Sequence, residues 1–247
     1  MFRAEVDGRA LMFFHTNMRG MNMTFADRET GTRWQQETGE AFDGRLKGKR
    51  LEVHPFLITT WKAWRDRHPT TLVMAPVPGL EELYANMWRE ILGRTRDRPG
   101  PPSDRTFRPV DPRLPAYEPI VGLEAGGARR AYPRALLARA QVVNDRLGGE
   151  PVLLVYIRSN DTVTVFSRGV SGQILTFKPG RRAGRLADVE TRSQWDSYGT
   201  CLEGTLRGSQ LKELTGRPQF WWGWAAFGET DVYSVPGRGA RPGTVHR

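Results

Sequence analysis

Residues 188–211 read DVETRSQWDSYGTCLEGTLRGSQL, and residues 27–51 read DRETGTRWQQETGEAFDGRLKGKRL. Asp27, Glu29, Thr30 and Trp34 match Asp188, Glu190, Thr191 and Trp195 at a constant offset of 161. After the loss of one residue, Gly39, Gly44, Leu46, Gly48 and Leu51 match Gly199, Gly204, Leu206, Gly208 and Leu211 at 160. Self-similarity at a fixed spacing is read before any local pattern, because it sets the architecture. Each stretch predicts a turn whose short polar side chains satisfy backbone N–H groups. A tryptophan then enters the core, and three glycines mark backbone geometry that a side chain disfavours.

Outward from these stretches, Arg9–Phe14 and Met21–Phe25 read as a hairpin around Asn17–Gly20. Phe14, Gly20, Thr24 and Phe25 match Phe166, Gly172, Thr176 and Phe177 at an offset of 152, so Lys178–Leu186 reads as an insertion in the second copy. Trp61 and Trp64 answer Trp221 and Trp224, and i, i+3 spacing gives each copy a short helix with two indoles turned inward. Strands follow at Leu72–Met74 and Asp231–Ser234. Leu80, Leu83, Met87, Trp88, Ile91 and Leu92 recur at helical spacing, and Thr95–Pro119 reads as an extended Pro- and Arg-rich connection. The second copy adds an extension: Pro133 opens a helix to Ala140, Gly148–Gly149 turns, and Pro151–Ile157 is a buried strand. The expected fold is α+β and strand-rich, two repeated units packed as one pseudo-symmetric body. The units span residues 1–78 and 119–247, with 79–118 as connector.

The chain has 247 residues, 38% of them hydrophobic, and a net charge of +10 carried mainly by arginine. That length suffices for a substantial core. No apolar run approaches the roughly 20 residues of a membrane span. Arg3, Glu5, Asp7 and Arg9 interrupt any secretory signal at the amino terminus, and the compartment is not assigned. One cysteine, Cys201, excludes an internal disulfide framework. Basic segments at Arg45–Arg50, Arg94–Arg98, Arg181–Arg185 and from Arg238 onward would attract polyanions. No helix-turn-helix, zinc-finger or aromatic RNA-binding signature accompanies them.

These residues resemble the bacterial domain-of-unknown-function family numbered 3179. The match runs through Ala131, Tyr132 and Pro133; Val142, Val143, Asn144 and Asp145; Gly148, Gly149 and Pro151; and the Asp188–Leu211 series, with His68, Pro69, Thr71 and Val73 resembling the closing motif. The resemblance carries no established activity, and its members are often exported. Many relatives have a Pro-Leu-Cys segment where this chain has Arg158, Ser159 and Asn160. Many also have a histidine where it has Ala140 and Gln141.

Four sets of side chains suggest chemistry. Asp27, Glu29, Asp188 and Glu190 would form a carboxylate cluster if the two turns converge, raising one another's pKa as acid/base catalysis requires; the same residues equally serve as backbone caps. Cys201 needs a nearby histidine to act as a nucleophile, and its match to Ala41 points to a small buried residue. Tyr132, Asn144 and Asp145, with Trp34 and Trp195, are ligand-binding candidates, although Asn144 and Asp145 also suit a turn before Gly148. His15, Met18, Met21 and Met23 suit Cu(I). Their offset-152 counterparts include Val170 and Leu175, which points instead to methionine as core filler. No cofactor is expected. The favoured reading is a non-catalytic module binding a small ligand or a protein partner. A hydrolase using the acid turns is the alternative.

Overall fold

The computed structural model describes residues 1–19, 22–87, 89 and 111–234, and the chain is strand-rich α+β with short helices. Strands Phe13–Arg19, Asn22–Asp27, Arg33–Gln35 and Ala41–Asp43 form an antiparallel meander in sequence order. Strands Phe177–Pro179, Arg185–Asp188, Gln194–Asp196 and Cys201–Glu203 form another. The two share a bulge beside the central tryptophan, between Arg33 and Trp34 and between Gln194 and Trp195. Trp34 and Trp195 are buried, each meeting a phenylalanine edge-on: Phe13 at 5.8 Å and Phe177 at 5.6 Å.

Matching glycines hold this turn geometry. Gly44 has φ +99° and Gly204 φ +101°, and a Cβ would come within 2.7 Å of Thr32 Cα and 2.8 Å of Ser193 Cα respectively. Both the left-handed backbone and the close approach require glycine.

The backbone corrects the hairpin alignment. Phe13 pairs with Asp27 as Phe177 pairs with Asp188, so Phe177 answers Phe13, not Phe25. Upstream, the small hairpin Glu5–Val6/Arg9–Ala10 turns at Asp7 and Gly8, and Gly169–Val170/Gln173–Ile174 turns at Ser171 and Gly172, both with positive φ throughout. Residues 178–186 are thus the ordinary connection and strand of the later hairpin, and the earlier hairpin is the longer. Outward from the meanders, Phe2 bridges Val53 and Phe166 bridges Glu213; the Met1 carbonyl accepts from His54 N–H and the Val165 carbonyl from Leu214 N–H.

Residues 119–164 build what has no counterpart among the described residues of the earlier half. Pro119–Ala125 and Ala128–Pro133 pair with each other, with Arg217–Phe220, and in parallel with Asp231–Val232. The helix Arg134–Ala140 leads into a three-stranded sheet, Val142–Leu147, Glu150–Ile157 and Thr162–Ser167. Its central strand is wholly buried at Val152, Leu153 and Leu154 because both faces are covered.

The helices Trp61–Arg67 and Trp221–Ala225 differ sharply. Trp221 and Trp224 are fully buried with Ile120 and Ala131, whereas Trp61 is 52% exposed and its helix buries no residue. The expectation of two inward-facing indoles therefore fails in the earlier half, where no Pro119–Pro133 sheet receives them. Leu72–Met74 is exposed and forms no strand. The connecting helix is described at 81–87, where every residue is exposed; Trp88 and residues 90–110 lie outside the described part, as do most of the connector, Arg94–Arg98 and the basic tail. Among the described residues, no helix is long and apolar enough to cross a membrane.

Candidate functional site

The acid turns are internally satisfied. Asp27 and Asp188 are fully buried; each carboxylate accepts from a tryptophan Nε1–H, Trp34 at 2.8 Å and Trp195 at 2.9 Å. Each also accepts from the backbone and hydroxyl of its own Thr30 or Thr191. Burial alone would push the Asp27 carboxyl up, but the Trp34 and Thr30 donors outweigh it and hold it below the usual range. Glu29 accepts from Met12 N–H and Glu190 from Thr176 N–H. Every one of these partners lies within the acid's own half, so the turns act as two separate staples.

Cys201 is buried opposite Trp195, as Ala41 is opposite Trp34, and burial pushes its thiol up, away from the thiolate a nucleophile needs. Tyr132 is fully buried and donates to Asp145 at 2.8 Å; burial first, then the carboxylate, hold its hydroxyl well above the ordinary phenol range. Asp145 also pairs with Arg130 at 2.7 Å. Asn144 clasps the next sheet: its Nδ2 donates to the Phe177 carbonyl at 2.7 Å and its Oδ1 accepts from Phe177 N–H at 2.8 Å. Asn144 and Asp145 are thus strand residues and not turn formers.

At the copper candidate, Met18 and Met23 are cross-strand partners, both exposed, which overturns the core-filler reading. The His15 ring meets Phe25 edge-on at 6.3 Å, and Met21 lies outside the described residues. Among the described residues no three His, Cys, Asp or Glu side chains group as a metal site.

A cleft of about 470 Å³ lies where three remote segments meet: Gln141–Val142, Val155–Ser159, and Pro179 with Ala183–Leu186, closed by Ser197. Val142, Val155, Ile157 and Leu186 supply an apolar wall; Gln141, Tyr156, Arg158, Ser159 and Arg185 supply polar groups. None of the lining residues is acidic. Gln141 ends its helix at φ +61°, ψ −39°, a costly conformation for a side chain with a Cβ, and its carbonyl accepts from Tyr156 N–H at 2.8 Å. With its amide oxygen turned toward Arg158, Gln141 accepts from that guanidinium, which also donates to the Ala138 carbonyl. The two places where the sequence departs from many relatives, at Gln141 and at Arg158–Ser159, therefore face one another. Sequence reasoning missed the cleft itself; those paired departures were its signal.

A larger cavity of about 910 Å³ lies beside Asp111, Arg129 and Glu229. Unlike the cleft, it is lined by three carboxylates, Asp111, Glu229 and Asp231, and Arg113 pairs with Asp111 and Arg129 with Glu124.

No curated protein and no solved structure matches the chain. A family model described as "Protein of unknown function (DUF3179)" matches residues 1–231, and the chain belongs to that family.

Proposed function

We propose that the protein is a non-catalytic binding module whose ligand is a small anion with an apolar portion, held in the Gln141–Arg158–Arg185 cleft. The observation that carries this reading is the lining: two guanidinium side chains, an apolar wall and no carboxylate. Arginine forks suit carboxylate and phosphate groups, and the strained Gln141 is the kind of backbone outlier that collects at ligand sites. The acid turns support binding over hydrolysis, because their oxygens are already committed to Trp and Thr donors. A thermal-shift screen of carboxylates and phosphate esters tests it. Stabilisation by an anion that disappears in Arg185→Glu is expected. A screen in which no anion stabilises the protein, or in which Arg185→Glu responds equally, contradicts it.

We also infer that residues 1–53 and 165–213 are two copies of one unit. The repeated Asp–Trp bond, the bulge position, the Gly44/Gly204 contacts and the Phe2/Phe166 bridges support this.

A further inference from the structure

The turn at Ser197 and Tyr198 ties together the two sides of the Gln141–Arg158–Arg185 cleft. Ser197 Oγ donates to the Gly184 carbonyl at 2.9 Å, which fixes the loop leading into Arg185. The Tyr198 hydroxyl accepts from Asn160 Nδ2 at 3.1 Å, which fixes the hairpin turn that carries Arg158 and Ser159. Among the described residues that is the only hydrogen bond of the Asn160 side chain, whose buried Oδ1 has no partner. The Ser197 carbonyl accepts from Thr164 Oγ1 at 2.8 Å, anchoring the turn to the sheet beneath.

The earlier half reaches this turn. The Arg67 guanidinium lies over the Tyr198 ring, 3.6 Å from its centroid. Arg67 ends the short helix Trp61–Arg67, which Thr60 caps, and the adjacent Thr59 hydroxyl accepts from Thr162 at 2.8 Å, just past the same hairpin turn. Neither Arg67 nor Thr59 lines the cleft. A cation over an aromatic face restrains the ring without needing an acid partner.

We propose that Arg67 is a positioning residue for the anion cleft, through which the earlier half sets the affinity of a site built by the later half. The proposal rests on an anion occupying that cleft. Stacked on Tyr198, Arg67 keeps the tyrosine hydroxyl where Asn160 reaches it. With the ring released, the turn carrying Arg158 and Ser159 loses its tie to Ser197, and the two sides of the cleft are no longer held at one spacing. A site that is competent only part of the time binds more weakly in that proportion.

The test is calorimetric titration of phenyl phosphate, an anion with an apolar portion, into the full chain and into Arg185→Glu, Arg67→Ala, Tyr198→Leu and the Arg67→Ala/Tyr198→Leu double variant. Arg67→Ala is expected to weaken binding about three- to tenfold in the parent, and less than about twofold when Tyr198 is already leucine, because the two residues act as one unit. An equal loss in both backgrounds would reduce Arg67 to its charge and overturn the proposal, as would no loss at all. Linkage is reciprocal, so phenyl phosphate is also expected to slow hydrogen exchange at residues 64–68. Exchange there that ignores the ligand overturns the proposal even if Tyr198→Leu does not fold. Binding that depends on Arg185 and not on Arg67 leaves the cleft standing and removes only the coupling. A parent that does not bind phenyl phosphate, or Arg185→Glu that binds it equally, removes the cleft reading and the coupling with it.

Discussion

Trp195 Nε1–H donates to a buried Asp188 oxygen at 2.9 Å, joining the tryptophan at the centre of the later meander to the turn that precedes it. Charge-assisted bonds are worth about 1.5–3 kcal/mol, and a buried donor left without a partner adds its desolvation cost. Asp188→Asn keeps one acceptor but turns an amide N–H toward donors. It should lower unfolding free energy by about 2–4 kcal/mol in urea titrations. Asp27→Asn should cost nearly the same, since Trp34 and Thr30 use that carboxylate identically. Losses under about 0.5 kcal/mol would remove the staple from the account.

Two carboxyls pull stability in opposite directions with pH. Burial tends to raise the Asp27 pKa, but its donors lower it below the unfolded value. Its contribution is therefore complete above about pH 4 and is lost as pH falls through the folded value. Burial raises the Glu37 carboxyl, which accepts from Gln219 at 2.9 Å and lies near Arg217. A raised acid binds protons more tightly folded than unfolded, so its contribution is present below about pH 4.3 and is lost as pH rises through the folded value. Glu37→Gln should flatten the alkaline side of that window and leave the acid limb intact. Denaturation midpoints between pH 3 and 8 check both signs; an unchanged profile in Glu37→Gln contradicts the second.

The two tryptophan helices predict an asymmetry. Trp221→Ala removes a fully buried indole packed with Ile120 and Ala131 and should cost about 3–5 kcal/mol. Trp61→Ala, at a half-exposed position, should cost less than about 1 kcal/mol. Equal losses would mean that Trp61 is covered in the free chain.

Gly204→Ala meets two obstacles at once, a φ of +101° and the Ser193 backbone. A loss of about 2–3 kcal/mol is expected, with the same at Gly44, read by thermal unfolding; a neutral substitution would show that the turn relaxes freely.

Much of this was legible where chemistry is local. The Asp–Thr–Trp turn and its glycines recur as letters because each bond needs that residue at that distance along the chain. The hairpin alignment failed because Phe14, Thr24 and Phe25 match by letter, while pairing is set by register to Asp27, which places Phe13 opposite it. Trp61 looked like Trp221 because spacing records a helix face and not whether a sheet is there to receive it. The cleft was hidden for a further reason: its walls come from three segments that only the folded backbone brings together, and its key residue, Gln141, is marked by φ and not by type.

The most direct test of the binding account is calorimetric titration of the best-stabilising anion into the protein and into Arg185→Glu at two salt concentrations. The account predicts a one-to-one complex, weakened at high salt as an exposed ion contact should be, and lost in the variant. Binding that survives Arg185→Glu unchanged would contradict it.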